Sequence, residues 1–434
     1  MSIEFRPGIN LLIGDNSSGK TSLVRACNFV ANAFFCGFSD ENTSWKSVDD
    51  SDFRLIVGDD NTILPWQPVS IEFTLSENDC PPILKPDGSV CEIDLQANHK
   101  LQKNSPKNNR NLKTGVAAYA KYCSALYDNS HISTNGSIQQ LNALPLYACF
   151  TTEDIHSLRK INRENFLKYT QKPSFGYNEC YDCRGLFDYW LKRLLVLQEA
   201  ETGIVEINTV KKALRDALGP EGCNIIDDIV IRPMRGKVYF HFSDGRLVES
   251  GMLSDGYKRL VNIVVDIAMR CALLNKSMYG DECYKHTRGT VIIDEIDEHL
   301  HPEIQRRILK DLHRTFPEIQ FIVTTHAPMV ISSVENNDQN VVYRLWYDRE
   351  TGRYEHIEIQ AYGLDANSIL ESTMDVDSRD ETVLEQLNNI QQLVSERRLE
   401  EAKRLLTDLE TLTQPGQPVL VKIRSVINRL ESRQ

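Results

Sequence analysis

The sequence predicts an α/β protein with a parallel sheet, a helical lobe inserted into the sheet domain, and an all-helical C-terminal tail. Three observations carry this prediction: a glycine-rich loop between an apolar strand and a helix, two later apolar strands that end in polar residues, and three amphipathic helices at the end of the chain. Strands that alternate with helices are typical of parallel sheets, because each crossover helix returns the chain to the same edge.

The glycine-rich loop runs from Gly14 to Thr21 and fits the pattern G-x-x-x-x-G-K-[ST] of phosphate-binding loops in nucleotide hydrolases. An apolar run precedes it and a helical pattern follows it, an order that directs backbone N–H groups and a helix N-terminus at a phosphate. This context disfavours a chance match. Lys20 would reach the β- and γ-phosphates, and the Thr21 hydroxyl would ligate Mg²⁺. The residues predicted to hold the nucleotide are Gly14, Asn16, Ser17, Ser18, Gly19, Lys20, Thr21 and Ser22.

Composition narrows the class of protein. With 41% hydrophobic and 25% charged residues, the chain is ordinary for a globular protein, and 434 residues suffice for about two to three domains. No apolar run is long enough to span a membrane and the N-terminus does not fit a signal peptide, so we expect a cytoplasmic protein. The eleven scattered cysteines favour reduced thiols, and Cys180 and Cys183 lack a second pair at zinc spacing. The net charge of −12 argues against a uniformly basic nucleic-acid binder but leaves a local basic groove open.

Changes in character along the chain predict four domains. They are the N-terminal half of the α/β head with an antiparallel β part (1–115), the helical lobe (116–224), the C-terminal half of the head (225–360) and a helical tail (361–434). The tail is either a cap on the head or a docking platform for a partner. The basic segment from Lys100 to Lys113 is predicted to be an exposed loop, with a nucleic-acid contact as the alternative.

Leu253 to Tyr257 reads LSDGY and stands directly before a helical pattern. Ser254 and Gly256 would therefore present free N–H groups and the positive end of a helix dipole. The simpler alternative is an ordinary helix cap.

Two apolar strands that end in polar residues are the last two of the four motifs. Thr290 to Ile293 is followed by Asp294 and Glu295, which suits a Mg²⁺ ligand and a group that activates the attacking water, or else two capping acids. His326 ends the second strand after one intervening helix, predicted from Glu303 to Phe316. A right-handed β-α-β unit would bring this histidine to the same sheet edge as the acids, where we favour a γ-phosphate contact over a structural role.

In this order the four motifs resemble the ABC-type ATPase head of the RecF and SMC class. The resemblance implies ATP and Mg²⁺ as cofactors and a homodimer, or a higher oligomer, that sandwiches ATP between two heads. It also implies that Asp294 and Thr21 hold Mg²⁺, that Glu295 is the catalytic base, and that His326 is the switch histidine. Ser254 and Gly256 would act on the nucleotide of the other subunit. Such heads usually begin with a longer N-terminal segment than the one before Ile3 to Phe5, which is expected to be a strand. No adenine-contacting residue is therefore assigned, and Gln67 is the one candidate for the Q-loop glutamine.

The segment Tyr362 to Leu370, followed by Met374 and Arg379, is similar to the ATPase subunit family of Septu anti-phage systems (PtuA), which includes retron-associated members. This resemblance implies control of an HNH nuclease partner, a PtuB-like subunit, and in a retron setting a reverse transcriptase with its msDNA. Nucleic acid would be reached through the complex, with no membrane partner and no intrinsic nuclease. Three alternatives stay open: a stand-alone RecF-like DNA-repair ATPase that clamps DNA, a transporter subunit, and a catalytically silent scaffold.

Overall fold

The computed structural model describes most of the chain. The described residues are 1–434 without 41, 44, 46–47, 49–51, 54–55, 58–62, 65–67, 77–79, 92, 94–97, 104–113, 135–136, 152–171, 182–185, 374–379, 414–416 and 433–434. By its internal contacts the chain divides into two units, residues 1–365 and residues 366–434. Four residues singled out above, Gln67, Cys183, Met374 and Arg379, lie outside the described residues.

The first unit is built on a six-stranded sheet. The order of its strands is β10 (Leu146–Phe150), β14 (Gly289–Ile293), β15 (Ile319–Thr324), β1 (Ile9–Ile13), β16 (Val341–Asp348) and β17 (Arg353–Glu358). Neighbouring strands are parallel except for the antiparallel edge pair β16 and β17. The strands are β1 (Ile9–Ile13), β2 (Ile56–Val57), β3 (Ile63–Leu64), β4 (Val69–Phe73), β5 (Ile83–Leu84), β6 (Val90–Cys91), β7 (His99–Lys103), β8 (His131–Thr134), β9 (Ser137–Gln140), β10 (Leu146–Phe150), β11 (Ile226–Arg232), β12 (Lys237–Phe242), β13 (Leu247–Glu249), β14 (Gly289–Ile293), β15 (Ile319–Thr324), β16 (Val341–Asp348) and β17 (Arg353–Glu358).

Helices connect these strands and form the tail. They are α1 (Lys20–Asn32), α2 (Ala117–Asp128), α3 (Phe187–Glu199), α4 (Ile204–Leu218), α5 (Asp255–Tyr279), α6 (Cys283–His286), α7 (Pro302–Gln305), α8 (Ile308–Thr315), α9 (Pro328–Ile331), α10 (Ala366–Thr373), α11 (Glu381–Ser395), α12 (Leu399–Leu412) and α13 (Pro418–Glu431). The long helix α5 is buried along most of its length, because its apolar residues occur on nearly every side.

The sheet core explains why the glycine-rich loop is held firmly. All five residues of β1 are buried: β15 and β16 pair with its two edges, and Leu12 packs in an apolar cluster on one face of the sheet. One apolar cluster joins Val24 of α1 to Leu12 of β1 and to Leu345 of β16, among other strand residues. The loop between β1 and α1 is therefore anchored at both ends.

The second unit is a helical unit with its own core. Ten buried residues from α11, α12 and α13 form it: Leu387, Ile390, Leu393, Leu399, Ala402, Leu406, Leu409, Leu420, Ile423 and Ile427. This confirms the predicted helical tail and its three amphipathic helices. Leu405 and Val426, two residues of the predicted apolar faces, are partly exposed instead.

Some expectations were wrong in their detail. Residues 100–103 belong to strand β7 rather than to a loop, because β7 pairs with β4 and alternately buries His99, Leu101 and Lys103; residues 104–113 lie outside the described ones. The segment from Ile3 to Phe5 lies in no strand. The single helix predicted before β15 is two helices, α7 and α8.

The cysteines also differ in part from expectation. Nine of them have free thiols, but Cys149 of β10 is disulfide-bonded. The expectation of reduced thiols throughout is therefore wrong at this position, because cysteine spacing along a chain does not report which thiols a fold brings together. Among the described residues, no helix combines the length and apolar character that crossing a bilayer requires.

Candidate nucleotide site

The predicted site consists of four loops: three follow neighbouring strands of the sheet, and the fourth packs on one of these three. The glycine-rich loop follows β1, Asp294 and Glu295 follow β14, and His326 follows β15. These three strands are adjacent and parallel, so their carboxyl ends meet at one sheet edge. The fourth loop, with Ser254 and Gly256, begins α5 and packs on the loop after β14.

Lys20 lies buried within its own loop. Its ammonium donates hydrogen bonds to the carbonyl oxygens of Gly14 (2.7 Å) and Asp15 (2.9 Å). Burial lowers the pKa of Lys20, and the nearby carboxylates of Asp15, Asp294 and Glu295 act in the opposite direction. The ammonium is thus within electrostatic reach of the two acids, although they belong to a different strand. A nucleotide phosphate would offer this ammonium stronger, charged acceptors.

Backbone conformation explains the glycine before this lysine. Gly19 has φ +91°, a conformation that side chains disfavour, and it begins α1 without a side-chain cap. The first N–H groups of α1 therefore receive no hydrogen bond from a capping side chain. Such groups are suited to bind phosphate oxygens.

Thr324, the last residue of β15, holds both acids of the β14 loop. Its hydroxyl donates to Asp294 Oδ1 (2.5 Å) and accepts a hydrogen bond from the backbone N–H of Glu295 (2.7 Å). Glu295 itself has φ +53°, which is uncommon for a residue with a side chain. A strained backbone held by specific bonds is a recurring feature of functional loops.

The next residue, Thr325, shares a hydrogen-bond acceptor with His326. Its hydroxyl donates to Asp297 Oδ1 (2.5 Å), and the same oxygen accepts from the backbone N–H of His326 (3.4 Å). The loops after β14 and β15 are therefore joined by side chains from both. Thr324, Thr325 and Asp297 were missed in the sequence, where only the acids and the histidine stand out.

The available ligands suit magnesium. Thr21 and Asp294 offer a hydroxyl and a carboxylate, the hard oxygen ligands that Mg²⁺ prefers. Asp294 can accept the Thr324 hydrogen bond and still present a second oxygen to a cation. Among the described residues no cluster of three or more His, Cys, Asp or Glu is suited to hold a metal alone. A cation here would therefore take further ligands from phosphate and water.

The LSDGY segment touches the acidic loop of its own chain. Gly256 is buried, and a Cβ on it would lie 2.2 Å from the carbonyl oxygen of His299, so a larger residue cannot pack there. Ser254 is exposed at the start of α5 and makes no side-chain cap bond. The contact with His299 gives a reason for the glycine within one chain, and a role for Ser254 and Gly256 toward a second subunit stays a prediction.

Arg259 is a further residue that sequence reasoning missed. It is fully buried on α5, donates to Glu298 Oε2 (2.5 Å) and donates to the backbone carbonyl of Asp294 (2.5 Å). It thereby joins the helix of the LSDGY segment to the loop that carries Asp294, the acid predicted to hold Mg²⁺. An arginine in a helical pattern has no motif signal, because its partners lie about 35 residues along the chain.

We expect Arg259→Met to lower the free energy of unfolding by about 1–3 kcal/mol and to slow ATP turnover. The methionine keeps the apolar stem but leaves the Asp294 carbonyl without its donor, while the part-exposed Glu298 can be hydrated. Urea unfolding and steady-state ATPase assays measure the two effects. Normal stability together with normal turnover would show that Arg259 does not position the acidic loop.

The fold and the site define an α/β ATPase with a parallel sheet and a phosphate-binding loop. A family model described as "AAA domain, putative AbiEii toxin, Type IV TA system" matches residues 104–332, more than half of the chain. The chain belongs to this family. The match begins after the glycine-rich loop, so the assignment of that loop depends on its own motif and geometry.

Named relatives narrow the group. A retron Vc95 probable ATPase of Vibrio cholerae serotype O1 biovar El Tor is 44% identical over 95 residues, which are 22% of this chain and 18% of the relative. A Septu protein PtuA of Bacillus mycoides (strain KBAB4) is 33% identical over 141 residues, 32% of this chain and 18% of the relative. The alignments thus span less than a fifth of either relative's length.

Among solved structures, an SMC head bound to the C-terminal winged-helix domain of ScpA aligns at 14% identity and a TM-score of 0.42, over 82% of this chain and 92% of that one. The parallel α/β sheet and the helical tail predicted from the sequence are confirmed by the strand order and by the core of the tail. The resemblance to ATPases of the Septu and retron group is confirmed by the family model and the named relatives.

Proposed function

We propose that this chain is the ATP-binding and ATP-hydrolysing subunit of an anti-phage defence complex and that it controls an associated HNH nuclease. The observation that carries the proposal is the meeting of Lys20, Asp294, Glu295 and His326 at one sheet edge. The relatives named as Septu and retron proteins support the defence setting.

In this proposal each residue has one task. The glycine-rich loop and Lys20 bind the phosphates, and Thr21 and Asp294 hold Mg²⁺, which neutralises charge on them. Glu295 accepts the proton of the attacking water, and its backbone is already held by Thr324. His326 contacts the γ-phosphate from the neighbouring strand.

Two heads would close on two ATP molecules. The exposed Ser254 at the start of α5 would reach the γ-phosphate of the other subunit. Closure then depends on ATP, because these contacts exist only in the closed state, and hydrolysis removes them. Arg259 would connect this contact to Asp294 of its own chain.

We expect the tail to hold the nuclease. Removing residues 366–434, which form a unit with a core of their own, should leave a chain that binds ATP but no longer retains the HNH partner. Co-purification of the partner with the full and the shortened chain measures this.

A double substitution in the full-length chain tests the same docking site without a deletion. Leu412 and Val421 are exposed apolar residues of the tail, and their joint replacement by glutamate should also release the partner. Replacing the exposed Thr407 by glutamate is the matched control. A partner that stays bound to both the shortened chain and the double variant would exclude the tail as its docking site. A chain that instead binds DNA by itself in an ATP-dependent way would favour the RecF-like clamp.

A further inference from the structure

The hairpin of β16 and β17 rises above the glycine-rich loop. β16 is parallel to β1, and the last register pair joins Ile13 to Arg344. Four residues of β16, Leu345 to Asp348, therefore extend beyond the end of β1. β17 returns alongside them, so the hairpin forms a wall next to the loop.

Two tyrosines face each other on this wall. Tyr347 and Tyr354 are cross-strand partners with ring centroids 5.0 Å apart, and each side chain is 39% exposed. Tyr343 and Leu345 of the same strand pack in the cluster that includes Val24 of α1. Because side chains alternate along a strand, Tyr347 lies on the face that carries α1.

Tyr354 touches the glycine-rich loop. A Cβ on Gly19 would lie 2.9 Å from Cδ1 of Tyr354, so the ring lies directly against the residue that begins α1. This places an aromatic ring beside the N–H groups that would bind phosphate. The Tyr354 residue is 39% exposed, so part of its surface is open to a ligand.

Sheet order sets the direction of a bound nucleotide. Asp294, Glu295 and His326 follow β14 and β15, which lie on one side of β1. The γ-phosphate end must face these groups, so the nucleoside end extends to the other side of β1, where β16 and β17 stand. The turn between these two strands is fixed, since Thr351 donates to Asp348 Oδ2 (2.7 Å) and Gly352 N–H donates to Asp348 O (2.9 Å). A preformed wall loses little entropy when a ligand binds.

We propose that Tyr354, supported by Tyr347, is the stacking platform for the base of a nucleoside triphosphate bound on the glycine-rich loop. The proposal rests on the proposed nucleotide site and names the subsite for its base. Stacking on an aromatic ring is tolerant of base identity, because every base has a π-face. The platform therefore supplies affinity, with little preference for adenine over guanine.

The test compares ATP with inorganic tripolyphosphate, which has no base. We expect Tyr354→Ala to weaken ATP binding by about 5- to 150-fold, the equivalent of about 1–3 kcal/mol for one stacked base. Tripolyphosphate affinity should not change, and Tyr354→Phe should bind ATP as the unaltered chain does. Isothermal titration of the full chain with each ligand measures all three.

Trp346→Ala is the matched control, since Trp346 is a similarly exposed ring that pairs with Glu355 on the opposite face of the same hairpin. Unchanged ATP affinity in Tyr354→Ala would overturn the platform, and so would an equal loss for ATP and tripolyphosphate. Lys20→Ala separates the two proposals: if it still binds both ligands normally, the nucleotide site itself is wrong, whatever Tyr354 does.

Discussion

Glu295→Gln is expected to bind ATP normally and to hydrolyse it about 10²- to 10⁴-fold more slowly, the range for loss of a general base. Glutamine keeps the shape of the side chain and leaves the Thr324 hydrogen bond to the backbone intact. It cannot accept the proton of the attacking water. The loss should therefore fall on kcat, with little change in ATP affinity. Phosphate release and nucleotide titration of the same preparation measure the two quantities.

Glu303→Gln is the control for this change. It is the same chemical substitution on a side chain that is 90% exposed beyond the acidic loop, so it should leave turnover unaltered. If Glu295→Gln hydrolyses ATP at the normal rate, another group is the base. If it loses ATP binding as well, Glu295 has a structural role instead, which its unusual backbone conformation would then explain.

Lys20→Ala is expected to weaken ATP binding by at least about 10- to 10²-fold, because at least one charge-assisted hydrogen bond of about 1.5–3 kcal/mol is lost. The Lys20 ammonium now pairs with the carbonyls of Gly14 and Asp15, and it is the buried cation of the loop. Alanine removes that charge, and the phosphates then face the carboxylates of Asp294 and Glu295 without it. Titration with a fluorescent ATP analogue measures the affinity.

Lys310→Ala, which changes an exposed lysine of α8, is the matched control. Thermal unfolding of Lys20→Ala should be recorded first, since the loss of a buried side chain can also disturb the loop. A folded Lys20→Ala chain that binds ATP as tightly as the Lys310→Ala control would contradict the assignment of the phosphate-binding loop.

Part of this site could be predicted because the order of parallel strands determines which strand ends lie next to each other. Asp294, Glu295 and His326 each follow a buried β-branched run, and parallel strands bring their ends to one edge whatever the loops contain. The bonds that join these loops could not be predicted in the same way. Thr324 and Arg259 act on residues about 30 and 35 positions distant, and one sequence does not show which hydroxyl or guanidinium will face which acid.

The fold predictions that were wrong have similar physical causes. The sequence predicts a loop from Lys100 because the stretch to Lys113 is rich in Lys, Arg and Asn and has only two large apolar residues. Lys103 is nevertheless buried, since it donates to the Val48 carbonyl (2.7 Å) and lies over the Phe53 ring. The break between α7 and α8 was missed because Ile304, Ile308 and Leu312 keep a spacing that one continuous helix would also satisfy.

If this chain is the ATP-driven subunit of a nuclease complex, it should be bound to that nuclease in its host cell. Affinity purification of the tagged chain from its native host, with ATP and Mg²⁺ present, tests it most directly when proteins and nucleic acids in the eluate are both identified. We expect an HNH nuclease in fixed stoichiometry, and in a retron setting also a reverse transcriptase with its DNA. A chain recovered without a nuclease, as a dimer that binds DNA only with ATP, would contradict the claim.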